Sequence, residues 1–361
     1  MGRYATTVMI GYKADGRANN VFLSAKTEKE LRDKVAELKS KMKTGELIKE
    51  SDMLLCDYIT SWIDTYKTSV SINTRAMYEN AVNKHIKPEL GHLPINKIVR
   101  SDVQRLINDN TDHPRTCEII KMTLVQILNS AIDDKLIYEN VAKKITLPKR
   151  QKSEKRALTD LEKAAIKNAD FTMQERALVM FLFYFGLRRG EVLALTKSDI
   201  DLKKKILTVN KAVVFDVNTP VVKKGAKSDA GNRAIPVPEH AVAFLRDFLK
   251  SIDTFYLFPG KNADTLSKTQ YVKMWNHIIR KMNDAVTSER EKAIGAQPID
   301  GLTAHIFRHN YCTMLYYSGI SQKKAVELMG HSDIKMIMEV YAHLDEKKEA
   351  VQEKIDKAIA L

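Results

Sequence analysis

Residues 143–156, KKITLPKRQKSEKR, set seven basic residues against one acid, with one proline and almost nothing apolar. A stretch like this has no apolar face to bury and its charges repel, so it reads as an extended linker over 146–156. No single core can run through it. The 361-residue chain must therefore fold as separate units on either side. Hydrophobic residues make up 44% of the chain, enough for each unit to build a core, which excludes a mainly disordered protein. Lys plus Arg number 59 against 45 Asp plus Glu, a net +14 that favours a polyanionic partner, nucleic acid ahead of an anionic membrane. In that light Lys149, Arg150, Lys152 and Lys155 are candidate phosphate contacts rather than a plain solvated hinge.

Residues 1–50 read as a small β-sheet carrying one helix. Tyr4–Gly11 and Ala18–Ser24 alternate like strands around the turn dipeptide Asp15-Gly16. Thr27 with Glu30 makes a capping box for a helix through Leu31, Val35 and Leu38 to about Lys43, closed by Gly45. Residues 51–145 read as a four-helix unit. Leu54, Leu55, Tyr58, Ile59 and Trp62 form one stripe, and Thr74–Ile86 a second helix. Pro88, Gly91 and Pro94 interrupt, and Ser101-Asp102 caps a third helix. Arg115–Leu136 is a long fourth. Residues 157–361 form the largest unit, with a buried helix at Gln174–Phe185, strands at Ile206–Val209, Lys211–Val217 and Ala234–Val237, and helices elsewhere. The fold class is multidomain α+β, the last unit mainly α with a small sheet.

Several functions are disfavoured. Cys56, Cys117 and Cys312 are sparse and odd in number, which argues against a disulfide framework or a structural zinc and fits a reducing cytosol. The longest apolar run, Ala177–Leu187, is too short to cross a bilayer and no leader precedes it. Phosphate-loop, zincin and serine-hydrolase motifs are absent. What stands out is basic side chains beside apolar segments, where they are normally avoided. Gly186-Leu187-Arg188-Arg189-Gly190-Glu191 follows the buried run, with Glu191 one turn from Arg188. His305-Ile306-Phe307-Arg308 puts an imidazole and a guanidinium on one helical face, with Thr303 placed to cap it. Lys227 lies on a hairpin tip ahead of Arg233-Ala234-Ile235-Pro236. Gly330-His331 precedes Tyr341 by about ten residues.

In this order the segments resemble the tyrosine recombinases, the phage-integrase family. The resemblance reaches nearly the full length, with Asn73–Arg75 through Gly91–Ile95 similar to the family's core-site-binding domain and residues 1–50 to its arm-binding module. It implies a catalytic set of Arg188, Lys227, His305, Arg308, His331 and the nucleophile Tyr341, supported by Glu191. Lys223 and Lys224 rival Lys227. It implies no metal and no cofactor. Departures are small: Phe307 stands where leucine is usual, and Asn310-Tyr311-Cys312-Thr313 replaces the commoner sequence after Arg308-His309.

The chemistry suits these residue types. Attack on a phosphodiester builds negative charge on the non-bridging oxygens, and planar guanidiniums match paired oxygens. His305 and His331 add hydrogen bonds or move protons, Tyr341 attacks, and Lys227 protonates the leaving 5′ oxygen. The resemblance implies an integrase of a phage or mobile element in a bacterial cytoplasm, associated with the nucleoid. Its partners would be double-stranded DNA at core and arm attachment sites, further copies of itself in a tetramer on DNA, and an excisionase or DNA-bending host factor. A topoisomerase of similar chemistry and a non-catalytic DNA binder are the alternatives. After Tyr341, Val351, Ile355, Ala358 and Ile359 lie at helical spacing, a stripe that docks either in cis or on a neighbouring subunit.

Overall fold

A computed structural model describes residues 3–12, 18–43, 52–150, 156–225, 231–261, 264–288, 290, 294–330, 337, 338, 340–342 and 344. The expectations for Asp15-Gly16, Gly45, Lys152, Lys155, Lys227, His331 and the stripe 351–359 therefore lie outside the described residues. Two compact units form, Met1–Lys152 and Ser153–Leu361. No helix among the described residues is long and apolar enough to cross a membrane.

In the first unit, β1 (Tyr4–Tyr12) pairs antiparallel with β2 (Ala18–Ala25), with a register irregularity between Met9 and Gly11. Period-two alternation sends Thr6, Val8, Val21 and Leu23 to one half-buried face, over which α1 (Glu28–Lys43) lays Leu31, Val35 and Leu38. The other face, with Met9 and Phe22, is exposed. Thr27 accepts from the Glu30 amide as expected, but Glu30 reaches back to the Lys26 amide rather than to Thr27 itself.

The helical part comprises α2 (Leu55–Tyr66), α3 (Ile72–Ala81), α4 (Lys87–Leu90), α5 (Arg100–Asn108) and α6 (Pro114–Asp133). Its core is built on Trp62, fully buried and edge-on to Tyr78, with the α6 stripe Ile120, Leu124, Ile127 and Leu128. Pro88 does not interrupt, contrary to the sequence reading. A π turn over Val82–Ile86 joins α3 to α4. Its wider turn accommodates a proline that lacks an N–H and would clash with a carbonyl four residues back. Capping of α5 also differs: the cap position is Val99, whose amide donates to Asp102 from inside the first turn. Beyond α6, Ile145 is buried in this core and Thr146 exchanges two hydrogen bonds with Gln104.

In the second unit, α7 (Asp160–Asn168), α8 (Met173–Phe185) and the short α9 (Arg189–Leu193) precede the strands. β3 (Ile200–Asp201), β4 (Ile206–Val209) and β7 (Arg233–Pro236) form an antiparallel sheet in the order β3-β4-β7. β5 (Lys211–Asp216) and β6 (Thr219–Lys224) form a separate hairpin. Val217, placed in the strand on sequence, instead sits in the turn at φ 53, 87% exposed, because the chain must reverse there. Among the described residues four helices follow: α10 (Glu239–Ser251), α11 (Lys268–Val286), α12 (Ala304–Tyr317) and α13 (Gln322–Met329). Phe181, Phe185, Phe248, Phe258 and Phe307 fill one continuous core.

Candidate active site

The site starts at the end of α8. Gly186 adopts φ +57, and a Cβ there would lie 2.4 Å from the Tyr311 ring, so only glycine lets the chain turn toward α9. The next turn places Arg188 at the cap position of α9. Its amide donates to Glu191 Oε2 at 2.8 Å, and its Nη1 donates to Glu191 Oε1 at 2.8 Å. Gly190 then sits against β5, where a Cβ would approach the Val213 carbonyl oxygen to 2.3 Å. That close approach docks the β5–β6 hairpin on α9. At the other end of the hairpin, Asn218 accepts hydrogen bonds from the amides of Lys268 and Thr269, fixing it to the start of α11.

Glu191 is the hub. Arg233, whose side chain is 1% exposed, donates to Oε1 at 3.1 Å through Nη1 and to Oε2 at 2.8 Å through Nη2. Arg308 lies 3.9 Å away. One carboxylate thus faces three guanidiniums, and the surplus is positive. Burial alone would raise the Glu191 pKa, but the Arg233 hydrogen bonds and the charges of Arg233, Arg308 and Arg188 outweigh it and bring it to about 2. For Arg308 the balance runs the other way: burial first, then the like charge of Arg188, disfavour its cation, and Glu191 offsets them in part.

The three arginines share a second partner, the C-terminal end of α13. Arg233 Nε donates to the Leu328 carbonyl at 2.8 Å, Arg308 Nη2 to that of Met329, and Arg188 Nη2 to that of Gly330 at 3.0 Å. Arg308 Nη1 also donates to the Gly186 carbonyl at 2.8 Å. Its buried Nε has no partner among the described residues. A helix C-terminus presents unsatisfied carbonyls and partial negative charge, so it is a natural seat for cations.

Above this network opens a cleft of about 600 Å³, lined by Arg188, Arg189, Tyr271, Trp275, His305 and Arg308 among others. His305 is exposed at the start of α12, its ring edge-on to His309 at 4.7 Å. Thr303 occupies the cap position of that helix without a side-chain capping bond, contrary to the sequence expectation. The structure therefore brings together Arg188, Glu191, His305 and Arg308. Tyr341 is not among the residues lining this cleft. It is 4% exposed, its hydroxyl donates to the Ile320 carbonyl at 3.1 Å, and its ring stands edge-on to Tyr316 at 5.0 Å. Burial, with Cys312 nearby, pushes its pKa up to about 12. Lys223 and Lys224 are exposed at the end of β6. Lys149 is exposed, and Arg150 bonds Glu118 at 3.3 Å.

Sequence reasoning left Arg233 out of the site, although its segment stood out. An arginine opening the strand Arg-Ala-Ile-Pro takes the inward position of a buried, exposed, buried, exposed alternation, and that parity was the available signal. Arg189 and the aromatic wall of Tyr271 and Trp275 were also missed.

Residues 149–348, more than half the chain, match the phage integrase family, and residues 55–110 match the phage integrase N-terminal SAM-like domain. A tyrosine recombinase XerC-like protein of Caldanaerobacter subterraneus subsp. tengcongensis is 25% identical, covering 96% of this chain and 93% of that protein. The transposase from transposon Tn916 of Enterococcus faecalis is 24% identical over 87% of this chain and 80% of its own length. Among solved structures, the Tn1549 transposon integrase in complex with transposon right end DNA superposes with a TM-score of 0.68 at 24% identity, covering 83% of this chain and 99% of that one. A lambda integrase tetramer bound to a Holliday junction gives 0.62 at 16% identity, covering 92% and 94%. The chain belongs to the phage integrase family and is a tyrosine-type site-specific recombinase.

Proposed function

We propose that this recombinase integrates and excises a phage or other mobile element by cutting and rejoining DNA through Tyr341. The observation that carries the assignment of the site is the positive surplus around Glu191, which borders a cleft lined by Arg188 and Arg308. A site of this kind suits a phosphodiester whose oxygens gain charge during attack. In the reaction the Tyr341 oxygen bonds to phosphorus as the bond to the 5′ oxygen breaks, and Lys227 supplies the proton to that leaving group. His305 and His331 hold or move protons at the phosphoryl oxygens and the attacking phenol. The 3′-phosphotyrosine keeps the energy of the broken linkage, so a 5′-hydroxyl from a second duplex restores a phosphodiester by the reverse step. Because the Tyr341 hydroxyl is committed to Ile320 in the DNA-free chain, it must leave that seat to attack.

The partners follow from the same assignment. The cleft takes a core site. The exposed face of β1 and β2 would take an arm site, and the segment from Lys149 to Lys155 would lie on phosphates between them. The solved relatives were captured on DNA, one of them as a tetramer on a Holliday junction, which favours a tetramer of this chain linked by the segment beyond Tyr341. An excisionase or a DNA-bending host protein would set direction, in a bacterial cytoplasm beside the nucleoid.

The test is a nicked suicide duplex carrying the core site of the element that encodes the chain. Wild-type protein should form a covalent adduct that maps to Tyr341, and Tyr341→Phe should form none while binding the duplex with near-normal affinity. An adduct persisting in that variant would overturn the choice of nucleophile. Adduct formation on unrelated duplexes would point to a topoisomerase instead.

A further inference from the structure

We infer that Arg189 is a positioning residue for the cleaved strand, gripping a phosphate of that strand inside the cleft. Two aromatic rings hold its side chain. The guanidinium carbon lies 5.4 Å from the centroid of the Phe215 ring and 5.3 Å from that of Tyr271. Phe215 belongs to β5, which the Gly190 approach docks on α9, and Tyr271 to α11, which the Asn218 contacts tie to the same hairpin. Arg189 is therefore fixed from two sides by rings that cannot drift independently.

Stacking uses the faces of a guanidinium and leaves its edge free. The edge carries five N–H donors in a planar fork, the geometry that matches paired phosphate oxygens. Among the described residues no hydrogen bond or ion pair engages that edge, whereas Arg188, Arg233 and Arg308 are each tied to carbonyls or to Glu191. The side chain nevertheless lines the cleft and is exposed there. An arginine that merely covered the apolar edges of Phe215 and Tyr271 would have no reason to share a cleft with Arg188 and Arg308, because like charge opposes it. A phosphate in the cleft removes that opposition. In the proposed reaction Arg188 and Arg308 would hold the scissile phosphoryl group from the Glu191 side, and Arg189 stands on the hairpin side of the cleft, so it fits a contact that fixes the strand rather than one that carries reaction charge.

This inference rests on the strand-cleavage function proposed above, and the experiment separates the two. The probe is the same suicide duplex, prepared with ordinary phosphates and then with a single neutral methylphosphonate at each phosphate within one or two nucleotides of the cut, the scissile one excepted. Wild-type protein and Arg189→Met, which keeps an unbranched side chain over the rings, are compared in single-turnover cleavage at saturating protein. On ordinary DNA the variant should cleave about 10- to 100-fold more slowly, as for removal of one charge-assisted hydrogen bond, with an unchanged thermal midpoint. At one position the methylphosphonate should slow the wild type by a similar factor and slow Arg189→Met no further. Arg189→Lys should recover part of the rate. If the two effects multiply at every position, or if Arg189→Met cleaves at the wild-type rate, Arg189 is a stacking cover and the inference fails while the function stands. A wild-type protein that forms no adduct on its own core site would overturn both.

Discussion

Replacing Glu191 with glutamine tests the hub of the site directly. The substitution keeps the shape but removes the one carboxylate that, among the described residues, pairs with Arg233, Arg188 and Arg308, and it turns an amide N–H₂ toward donors. Two independent routes give the size of the effect. Breaking a buried ion pair by removing one partner costs about 3–5 kcal/mol, because the other charge stays buried without compensation. The carboxyl itself falls from an ordinary value of 4.5 to about 2 on folding, which by linkage is worth about 3 kcal/mol at neutral pH. The folded pKa lies below the unfolded one, so this stability is complete above about pH 4.5 and drains away as the pH falls through about 2. The chain has two tryptophans, Trp62 in the first unit and Trp275 in the second. In a Trp62→Phe background, Trp275 fluorescence during urea unfolding reports on the second unit alone. Glu191→Gln should lower its stability by about 3 kcal/mol at pH 7, roughly 6–12 °C in thermal midpoint for a unit of this size. By pH 3 the difference should shrink to about half or less. A destabilisation below about 1 kcal/mol at pH 7, or one that does not change with pH, would refute the account of Glu191 as the charge hub.

Two further outcomes follow from other parts of the molecule. Gly190→Ala should force β5 away from α9, because its Cβ would sit 2.3 Å from the Val213 carbonyl oxygen; overpacking of this kind costs about 1–3 kcal/mol, read as a lowered urea midpoint together with slower adduct formation. Unchanged stability and rate would mean that the hairpin does not depend on that approach. Neutralising Lys149, Arg150, Lys152 and Lys155 together should flatten the dependence of log affinity on log salt by about 0.9 for each phosphate that is no longer engaged. An unaltered slope would make that segment a connection and nothing more.

Much of this arrangement was legible in the residues, and the exceptions share a cause. The helix Met173–Phe185 was plain because an apolar run ends at a glycine, and α1 was plain from its capping residues and stripe. Arg188, His305 and Arg308 were legible because basic side chains beside core segments demand a partner. Arg233 was not counted because its carboxylate partner stands 42 residues away and becomes a neighbour only when β7 pairs with β4. The strand β6 was hidden by Pro220 and by Lys223 and Lys224, which read as the start of a hairpin tip until pairing with β5 satisfies their backbone. The same holds for Pro88, whose disruption is absorbed by a π turn that no local propensity signals. The seat of Tyr341 on Tyr316 and Ile320 depends on packing between separate helices, which spacing alone does not encode.

The three arginines also explain how a chain with so much buried positive charge folds before any DNA arrives. One carboxylate cannot neutralise three guanidiniums, and an uncompensated buried cation costs several kcal/mol. The missing negative counterpart comes from backbone. Leu328, Met329 and Gly330 turn their carbonyls onto Arg233, Arg308 and Arg188 in turn, so the partial negative charge of a helix terminus lies against the cationic cluster from below. Those bonds are weaker than bonds to an anion, since a carbonyl carries only part of a charge. They are enough to order the guanidiniums and too few to satisfy them, as the Arg308 Nε, unpartnered among the described residues, records. A site built this way holds its donors in position without a ligand. The segment that supplies the carbonyls runs directly into Gly330-His331 and on toward Tyr341, so the groups that order the arginine cluster and the tyrosine proposed above as nucleophile belong to one stretch of chain.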